Sequence, residues 1–561
     1  MINVFLLFIS FSWIIPNHYP PWVSAWNEGW AIASVFSLLF YIKFTSRQVT
    51  PVSWGLTSIF CLCLATIWTQ NFSGKILFTG DAVVASMYIG VWFLSVLTGS
   101  SLASPNNSYS NAMHVMNASW SGAAVISVGI ALVQWTGALS LGIYAADLPP
   151  NARPFANVAQ PNHFSTLCFL GLCGLLWLQQ QQLVRGTAFW IAATFLLWGM
   201  VMSQSRTGWV QIAVLVIWGV VMRDRASLYL TRLRLMLLGT IFATGVMLWP
   251  ILSEALLLSK ARGLEEQLSA GVRFPYWRAM LDALSHEPWL GYGWEQVGTA
   301  QHRVALDHVP MGVYFEYSHN FVLDLLLWNG IVIGGLVVVI LAWWFFSHIF
   351  FCRNASVAWL LAALGGIFLH GLLEYPLNYA YFLIPAGIIM GTIESMSPII
   401  KARIIFPRWS VLLGALAFGA IFFFVAADYI KVEENYRTQR IENARIGVEG
   451  VTTPVPEIYL LTQMEALLQV GHIQIKKNME AEKIQWLQKI SLRFSYPVVL
   501  LRYAEALALS NKPEEASYQI RLLRQLWNPG IFENINSQLA VSQYPEIRKL
   551  VLTHEKPKES H

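Results

Sequence analysis

The stretch "YFEYSHNFVLDLLLWNG" (314–330) places His319 and Asn320 where a polar segment turns into a long apolar run. An imidazole titrates near neutral pH and can take the proton of a hydroxyl, and an amide beside it can orient the ring or a substrate. Glu316 lies about one turn earlier. The competing reading is an interfacial histidine that caps a helix or bonds a lipid headgroup. A second group is Arg206 in "SQSRTGW" (203–209), between two apolar runs. A guanidinium grips phosphate oxygens as a fork, so a diphosphate suits it, as does the phosphate of a lipid reached by snorkelling. Arg273 lies in "GVRFPYWRAMLDALSHEPWLGYGWEQVG", in which the residues after Pro275 read as a short amphipathic helix, with Tyr276, Met280 and Leu284 on one stripe, expected to lie along a membrane surface. Its guanidinium either enters a cavity or is solvated. "QPNHF" supplies Gln160, Asn162 and His163, types that suit sugar hydroxyls or a helix cap. In "HGLLEYPLNY" (370–379), His370 and Glu374 are four apart on one helix face, followed by Tyr375. They read as a hydrogen-bonded pair, or as helpers in proton transfer or acceptor binding.

The elements that must carry these residues are apolar helices. The 561 residues are 56% hydrophobic and 12% charged, with 25 Trp and a mean hydropathy of +0.50. Soluble domains carry about 25% charged residues, so the fold class is all-α and polytopic. Stretches long enough to span a bilayer, about 20 residues each, fall near 2–16, 29–44, 52–69, 82–100, 113–138, 163–180, 187–203, 208–222, 235–253, 319–348, 356–374, 377–395 and 409–427, which makes about 13 helices. The run 319–348 is long enough to tilt, kink or start above the bilayer. "MINVFLLFISFSWIIP" lacks a basic start and a small-residue cleavage site, and is expected to be a first, uncleaved span.

With the N-terminus in the cytoplasm, the cytoplasmic turns hold about eleven Lys and Arg, and the short outer turns hold Lys75, Arg153 and Arg206. All the motifs above then fall on the outer face, together with a long loop over 254–318. Polar residues gathered on one face of a membrane bundle mark a site, because holding them there costs free energy. About half of all charged residues lie beyond Asp428, which suggests a membrane part over 1–427 and a water-exposed helical part over 428–561. In the latter, "LLRYAEALALSNKPEEASYQIRLLRQLW" has the spacing of a tetratricopeptide-like helix pair. The net charge of +5 contains no basic run that would suggest nucleic acid. The five cysteines sit in apolar runs and predict no disulfide. There is no Walker A sequence, metal-ligand spacing or Asp-x-Asp pair, which argues against an ATP-driven transporter and the common metal-dependent glycosyltransferases. Transporters also place charges midway along helices or carry matched broken helices.

The set "NVAQPNHF", "SQSRTGW", "GVRFPYWRAM…EPWLGYGWEQVG", "EYSHN" and "HGLLEYPLNY", in that order, resembles the bacterial O-oligosaccharyltransferases of the PglL type, within the superfamily of O-antigen ligases and polymerases. The resemblance covers residues 110 to 395 and extends to the tail. It implies a GT-C-like enzyme of the inner membrane, with its active site facing the periplasm. Such an enzyme moves a preassembled glycan from undecaprenyl-pyrophosphate to a Ser or Thr hydroxyl of a periplasmic protein such as pilin. His319 matches the essential loop histidine, the expected base. Arg206 and Arg273 match the family arginines, expected to stabilise the leaving diphosphate. Gln160 and Tyr375 match a family glutamine and tyrosine. With Asn162, His163, Asn320, His370 and Glu374 they make up the expected binding set. Neither cofactor nor metal is expected, and inversion at the anomeric carbon is. Two other readings stand beside this one: an O-antigen ligase or polymerase with a sugar acceptor, and a non-catalytic binder or transporter of the lipid-linked glycan. One-sided motifs disfavour the last.

Overall fold

A computed structural model describes residues 1–103, 111–137, 139–150, 152–256, 272–397, 399–444 and 453–552. Residues 257–271 of the expected outer loop, Asn151, and parts of the tail lie outside the described residues. The first half of the chain forms α1 (Ile2–Phe11), α2 (Ala25–Thr45), α3 (Trp54–Phe72), α4 (Thr79–Leu102), α5 (Ala112–Thr136), α6 (Pro161–Gln180), α7 (Gly186–Met202), α8 (Arg206–Arg225) and α9 (Arg232–Ala255). Then come α10 (Arg273–His286), α11 (Val297–Val304), α12 (Phe321–Phe351), α13 (Ala355–Gly371), α14 (Ala380–Met396) and α15 (Arg408–Asn443). A helix therefore stands at each stretch expected to span.

Among the described residues, eight helices (α3, α4, α5, α6, α8, α9, α12 and α15) are long and apolar enough to cross a membrane, and α1, α7, α13 and α14 are shorter apolar helices. Four of the other five expected spans are short helices, while α2, at 21 residues, is long enough and carries Glu28 and Lys43. At about 1.5 Å per residue, a helix of 17 residues such as α13 or α14 reaches about 25 Å, less than a hydrocarbon core of about 30 Å. Both are buried along most of their length, so protein rather than lipid surrounds them. The centre of the bundle is closed by glycines. A Cβ on Gly391 would lie 1.9 Å from Val96 O, and one on Gly99 2.0 Å from Ile388 O, so α4 and α14 touch backbone to backbone.

The chain is mostly helical, as expected, and adds one short ribbon. Thr50–Ser53 (β1) pairs antiparallel with Arg403–Phe406 (β2), with Thr50 opposite Phe406 and Ser53 opposite Arg403. This ribbon fastens α3 to α15 at the end of the bundle remote from His319. Glu394 fixes it there by accepting from the Ser53 N–H at 2.9 Å.

The long α12 is broken at Gly330, whose φ of 75° and ψ of 175° only glycine adopts readily. The break frees backbone groups inside an apolar helix, and the Pro288–Gly293 segment satisfies them. Ile331 N–H donates to Pro288 O at 2.7 Å and Tyr292 N–H to Leu327 O at 2.7 Å, while Gln70 Nε2 donates to Trp328 O at 2.7 Å. Non-helical backbone at this depth is tolerated because protein covers it.

The composition change at Asp428 falls inside one continuous helix, α15. Its side chain accepts from the N–H groups of Tyr459 and Leu460, tying the start of the tail to the helix. The tail forms α16 (Thr462–His472), α17 (Ala481–Arg493), α18 (Pro497–Leu509), α19 (Pro513–Leu526), α20 (Pro529–Ala540) and α21 (Pro545–Arg548). The α18–α19 pair is where the tetratricopeptide-like spacing stands. This second core includes Phe78, Ala305 and Tyr314 from the membrane half, so the two parts share apolar surface.

Candidate functional site

His319 is aimed by the turn that starts α12. Asn320 caps the helix: its Oδ1 accepts the N–H groups of Val322 at 3.0 Å and Leu323 at 3.2 Å. Asp324, one turn on, accepts the Ser318 N–H at 2.7 Å, and Ser318 Oγ donates to Asn320 O at 2.9 Å. From α10, Tyr276 OH donates to Tyr317 O at 3.1 Å and Trp277 Nε1 to Ser318 O at 2.8 Å. These bonds hold His319 at a φ of 58°, in the left-handed region. Such backbone costs about 1–3 kcal/mol and persists where its surroundings over-determine it, which is common at functional sites. The expected stripe of Tyr276, Met280 and Leu284 is buried, so α10 packs its apolar face on the bundle while Phe274 and Leu281 stay exposed.

Glu374, 4% exposed, joins three of the expected residues. Its Oε2 is 2.6 Å from His319 Nδ1. Its Oε1 accepts from Arg273 Nη2 and from Asn162 Nδ2, the latter at 3.0 Å. Burial acts to raise the carboxyl pKa, but the hydrogen bond from His319 and the charges of His319 and Arg273 outweigh it and hold it below the ordinary value. An ionised carboxylate only accepts, so Nδ1 of His319 carries the hydrogen and Nε2 is the basic ring nitrogen. The ring is boxed by Tyr375 at a centroid distance of 4.7 Å and Phe315 at 4.9 Å. Tyr375 stacks in turn on Tyr317 and Tyr379. The Arg273 and His319 side chains are 26% and 16% exposed, so both remain reachable.

The expected His370–Glu374 hydrogen bond is replaced by other partners. The helix α13 ends at Gly371, so Glu374 leaves the helix face that a four-residue spacing assumes. His370 Nδ1 instead pairs with Thr166 Oγ1 at 2.8 Å, and Gln211 Nε2 donates to the same oxygen at 3.1 Å. His163 Nδ1 faces Tyr381 OH at 3.2 Å. Both histidines are fully buried beneath Glu374, at 1% and 0% exposed. They support the site from below, whereas Asn162 and Tyr375 border it. Gln160 sits at the N-cap of α6 with a buried Oε1 that has no hydrogen-bond partner among the described residues.

Arg206 begins α8, five residues before Gln211. The helix lies close to α6 there, since a Cβ on Gly208 would be 2.5 Å from Ser165 Oγ. Arg206 therefore sits at the same end of the bundle, above the Thr166–His370 level. Arg153 braces its turn by donating to Ser203 O and Gln204 O, both at 3.1 Å.

Sequence reasoning missed a second charged group behind the site. Arg493 of α17 makes a buried two-point contact with Asp81 of α4, at 2.9 and 3.0 Å. Tyr314 OH donates to Arg493 O at 3.0 Å, and Tyr496 OH donates to Glu316. The tail thus grips the segment that leads to His319. Partners separated by 412 positions leave no local signal. Among the described residues no cluster of three or more His, Cys, Asp or Glu is placed to hold a metal ion.

A family model described as O-Antigen ligase matches residues 191–340, the part that carries Arg206, Arg273 and His319. Another, described as Virulence factor membrane-bound polymerase, C-terminal, matches residues 358–529 and runs from Glu374 through Arg493. A general O-oligosaccharyltransferase of Acinetobacter baylyi is 28% identical over 543 residues, covering 92% of this chain and 91% of its own. A ComP-specific O-oligosaccharyltransferase of the same organism is 26% identical over 527 residues, covering 92% and 93%. These matches run through the site residues and the tail alike: along most of its length the chain is similar to O-oligosaccharyltransferases, and it is a glycosyltransferase.

Proposed function

We propose that the protein transfers a preassembled oligosaccharide from undecaprenyl-pyrophosphate to Ser or Thr hydroxyls of periplasmic proteins, such as a pilin, at the outer face of the inner membrane. The His319–Glu374–Arg273 arrangement carries this reading. His319 Nε2 takes the hydroxyl proton as the oxygen attacks the anomeric carbon, and Glu374 stabilises the imidazolium that forms. The bond from the anomeric carbon to the phosphate oxygen breaks, with inversion, and the lipid diphosphate leaves. Arg273, and Arg206 from the end of α8, supply positive charge where that leaving group gains negative charge. Glu374 holds base and arginine in fixed relation, so the attacking and leaving sides stay in register. Gln160, Asn162 and Tyr375 border the same space and would contact donor or acceptor. Residues 428–561 would present the acceptor.

The O-Antigen ligase match keeps a sugar acceptor as a second reading. Alignment with two oligosaccharyltransferases through the tail favours a protein. Co-expression with a lipid-linked glycan and a periplasmic acceptor, followed by mass spectrometry, separates them. The expected result is intact glycan on Ser or Thr of the acceptor. Glycan found only on a lipid-linked sugar core would overturn the protein reading.

A further inference from the structure

Away from the catalytic carboxylate, beside Tyr317 and Tyr379, the two rings that stack on Tyr375, lies a cavity of about 390 Å³. That is ligand-sized, within the range of about 300–1,000 Å³ for binding pockets. Its deep walls are apolar: Ile59, Cys63, Leu325, Val337, Leu341 and Met390. Leu325 precedes and Val337 and Leu341 follow the break at Gly330, so both arms of α12 wall this apolar shaft. Its mouth is polar and different in kind, lined by Glu295, Glu316, Gln463 and Arg493 between the rings of Tyr317 and Tyr379.

Two buried polar atoms in this mouth have no hydrogen-bond partner among the described residues: Nη1 of Arg493, a residue 4% exposed, and Oε1 of Gln463, also 4% exposed. A buried donor and a buried acceptor left unmet call for a ligand that offers both. The charge around them is mainly negative. Glu28, Asp81, Glu295 and Glu316 line the cavity, against a single guanidinium, that of Arg493, which is bonded to Asp81 and has its Nη1 3.9 Å from Glu316 Oε2. Glu295 stands in left-handed backbone at a φ of 63° and accepts from Tyr317 OH at 3.1 Å. Burial, helped by Asp81 and Glu316 against the pull of Arg493 and Tyr317, pushes its carboxyl up to about 7. A cation beside it would relieve that crowding.

We propose that this cavity is a binding site for one zwitterionic aminophospholipid, with its phosphate on Arg493 Nη1, its ammonium among Glu295, Glu316 and the Gln463 carbonyl, and an acyl chain in the shaft. A lipid diphosphate is the wrong occupant, because its head would bring two negative charges to a mouth with an excess of carboxylates. The site is separate from the transfer chemistry and does not depend on which acceptor is used. It adjoins Tyr317, so its occupant would brace the segment that holds His319.

The test is native mass spectrometry of the full chain in detergent, titrated with dioleoylphosphatidylethanolamine, dioleoylphosphatidylglycerol and undecaprenyl diphosphate. One ethanolamine lipid should bind at least about tenfold more tightly than the glycerol lipid, the size expected for hydrogen bonds to charged partners. The Glu295→Gln/Glu316→Gln variant should lose most of that preference. A photoactivatable ethanolamine lipid, which needs no variant, should label peptides covering 325–341 or 383–390 at positions inside the shaft. Equal binding of the two phospholipids, displacement by the diphosphate, or labelling confined to the lipid-facing surface would each overturn the proposal.

Discussion

Glu374 performs two tasks with one carboxylate: Oε2 fixes the tautomer of His319, and Oε1 holds Arg273. Glu374→Gln keeps the shape but loses the carboxylate that accepts from Nδ1 and stabilises the imidazolium formed on proton uptake. Transfer should fall by roughly 10²–10⁴-fold, the range of general-base contributions, in an assay with purified donor and acceptor. The same carboxyl predicts a pH effect of definite sign. Its folded pKa lies below the ordinary carboxylate value of about 4.3, so its contribution is full above that value and is lost as pH falls through the folded pKa. Thermal melts from about pH 3 to 7 should show wild type losing stability at the acid end, with that component missing in Glu374→Gln. Arg273→Lys keeps the charge but not the planar fork, and its loss of transfer should fall between those of wild type and Arg273→Ala.

The break in α12 can be tested with two glycines on the same helix. A Cβ on Gly330 would lie 2.2 Å from Trp289 O at a φ of 75°, whereas one on Gly335 would meet nothing within 4 Å. Gly330→Ala should therefore destabilise the protein by more than the ~1 kcal/mol that a compatible glycine change gains, seen as a lower melting temperature, while Gly335→Ala should leave the melting temperature unchanged or raised. Helix positions were legible from the sequence because apolar length is a local property, and the length of the run 319–348 left a tilt, a kink or a start above the bilayer open, of which the break at Gly330 is the kink. The number that cross unaided was not legible, since that depends on whether a short helix such as α13 is surrounded by lipid or by protein. The β1–β2 ribbon joins four-residue segments about 350 positions apart, too short for any periodicity to announce. In the site, the residue types were readable one motif at a time, including His319, Arg273 and Asn162. Their union on Glu374 was not, because it requires the starts of α6 and α10, the turn before α12 and the turn after α13 to meet.

For the molecule as a whole, the ion pair of Arg493 with Asp81 decides whether the tail is an appendage or part of the catalytic unit. Their side chains are only 5% and 2% exposed. Arg493→Leu strands a buried carboxylate, a loss of about 3–5 kcal/mol in comparable sites, and the Asp81→Leu/Arg493→Leu pair should recover much of it. Hydrogen exchange should speed up across 296–318 and the tail in the single variant and slow again in the double. Such coupling would explain why similarity to the oligosaccharyltransferases runs unbroken from the membrane half into the tail. In the proposed mechanism, transfer depends on an imidazole that receives the acceptor proton. Its most direct measurement is the rate of glycan transfer by purified His319→Ala with lipid-linked donor and protein acceptor. A loss of at least about 100-fold is predicted, with donor still bound. Transfer at the wild-type rate would contradict it.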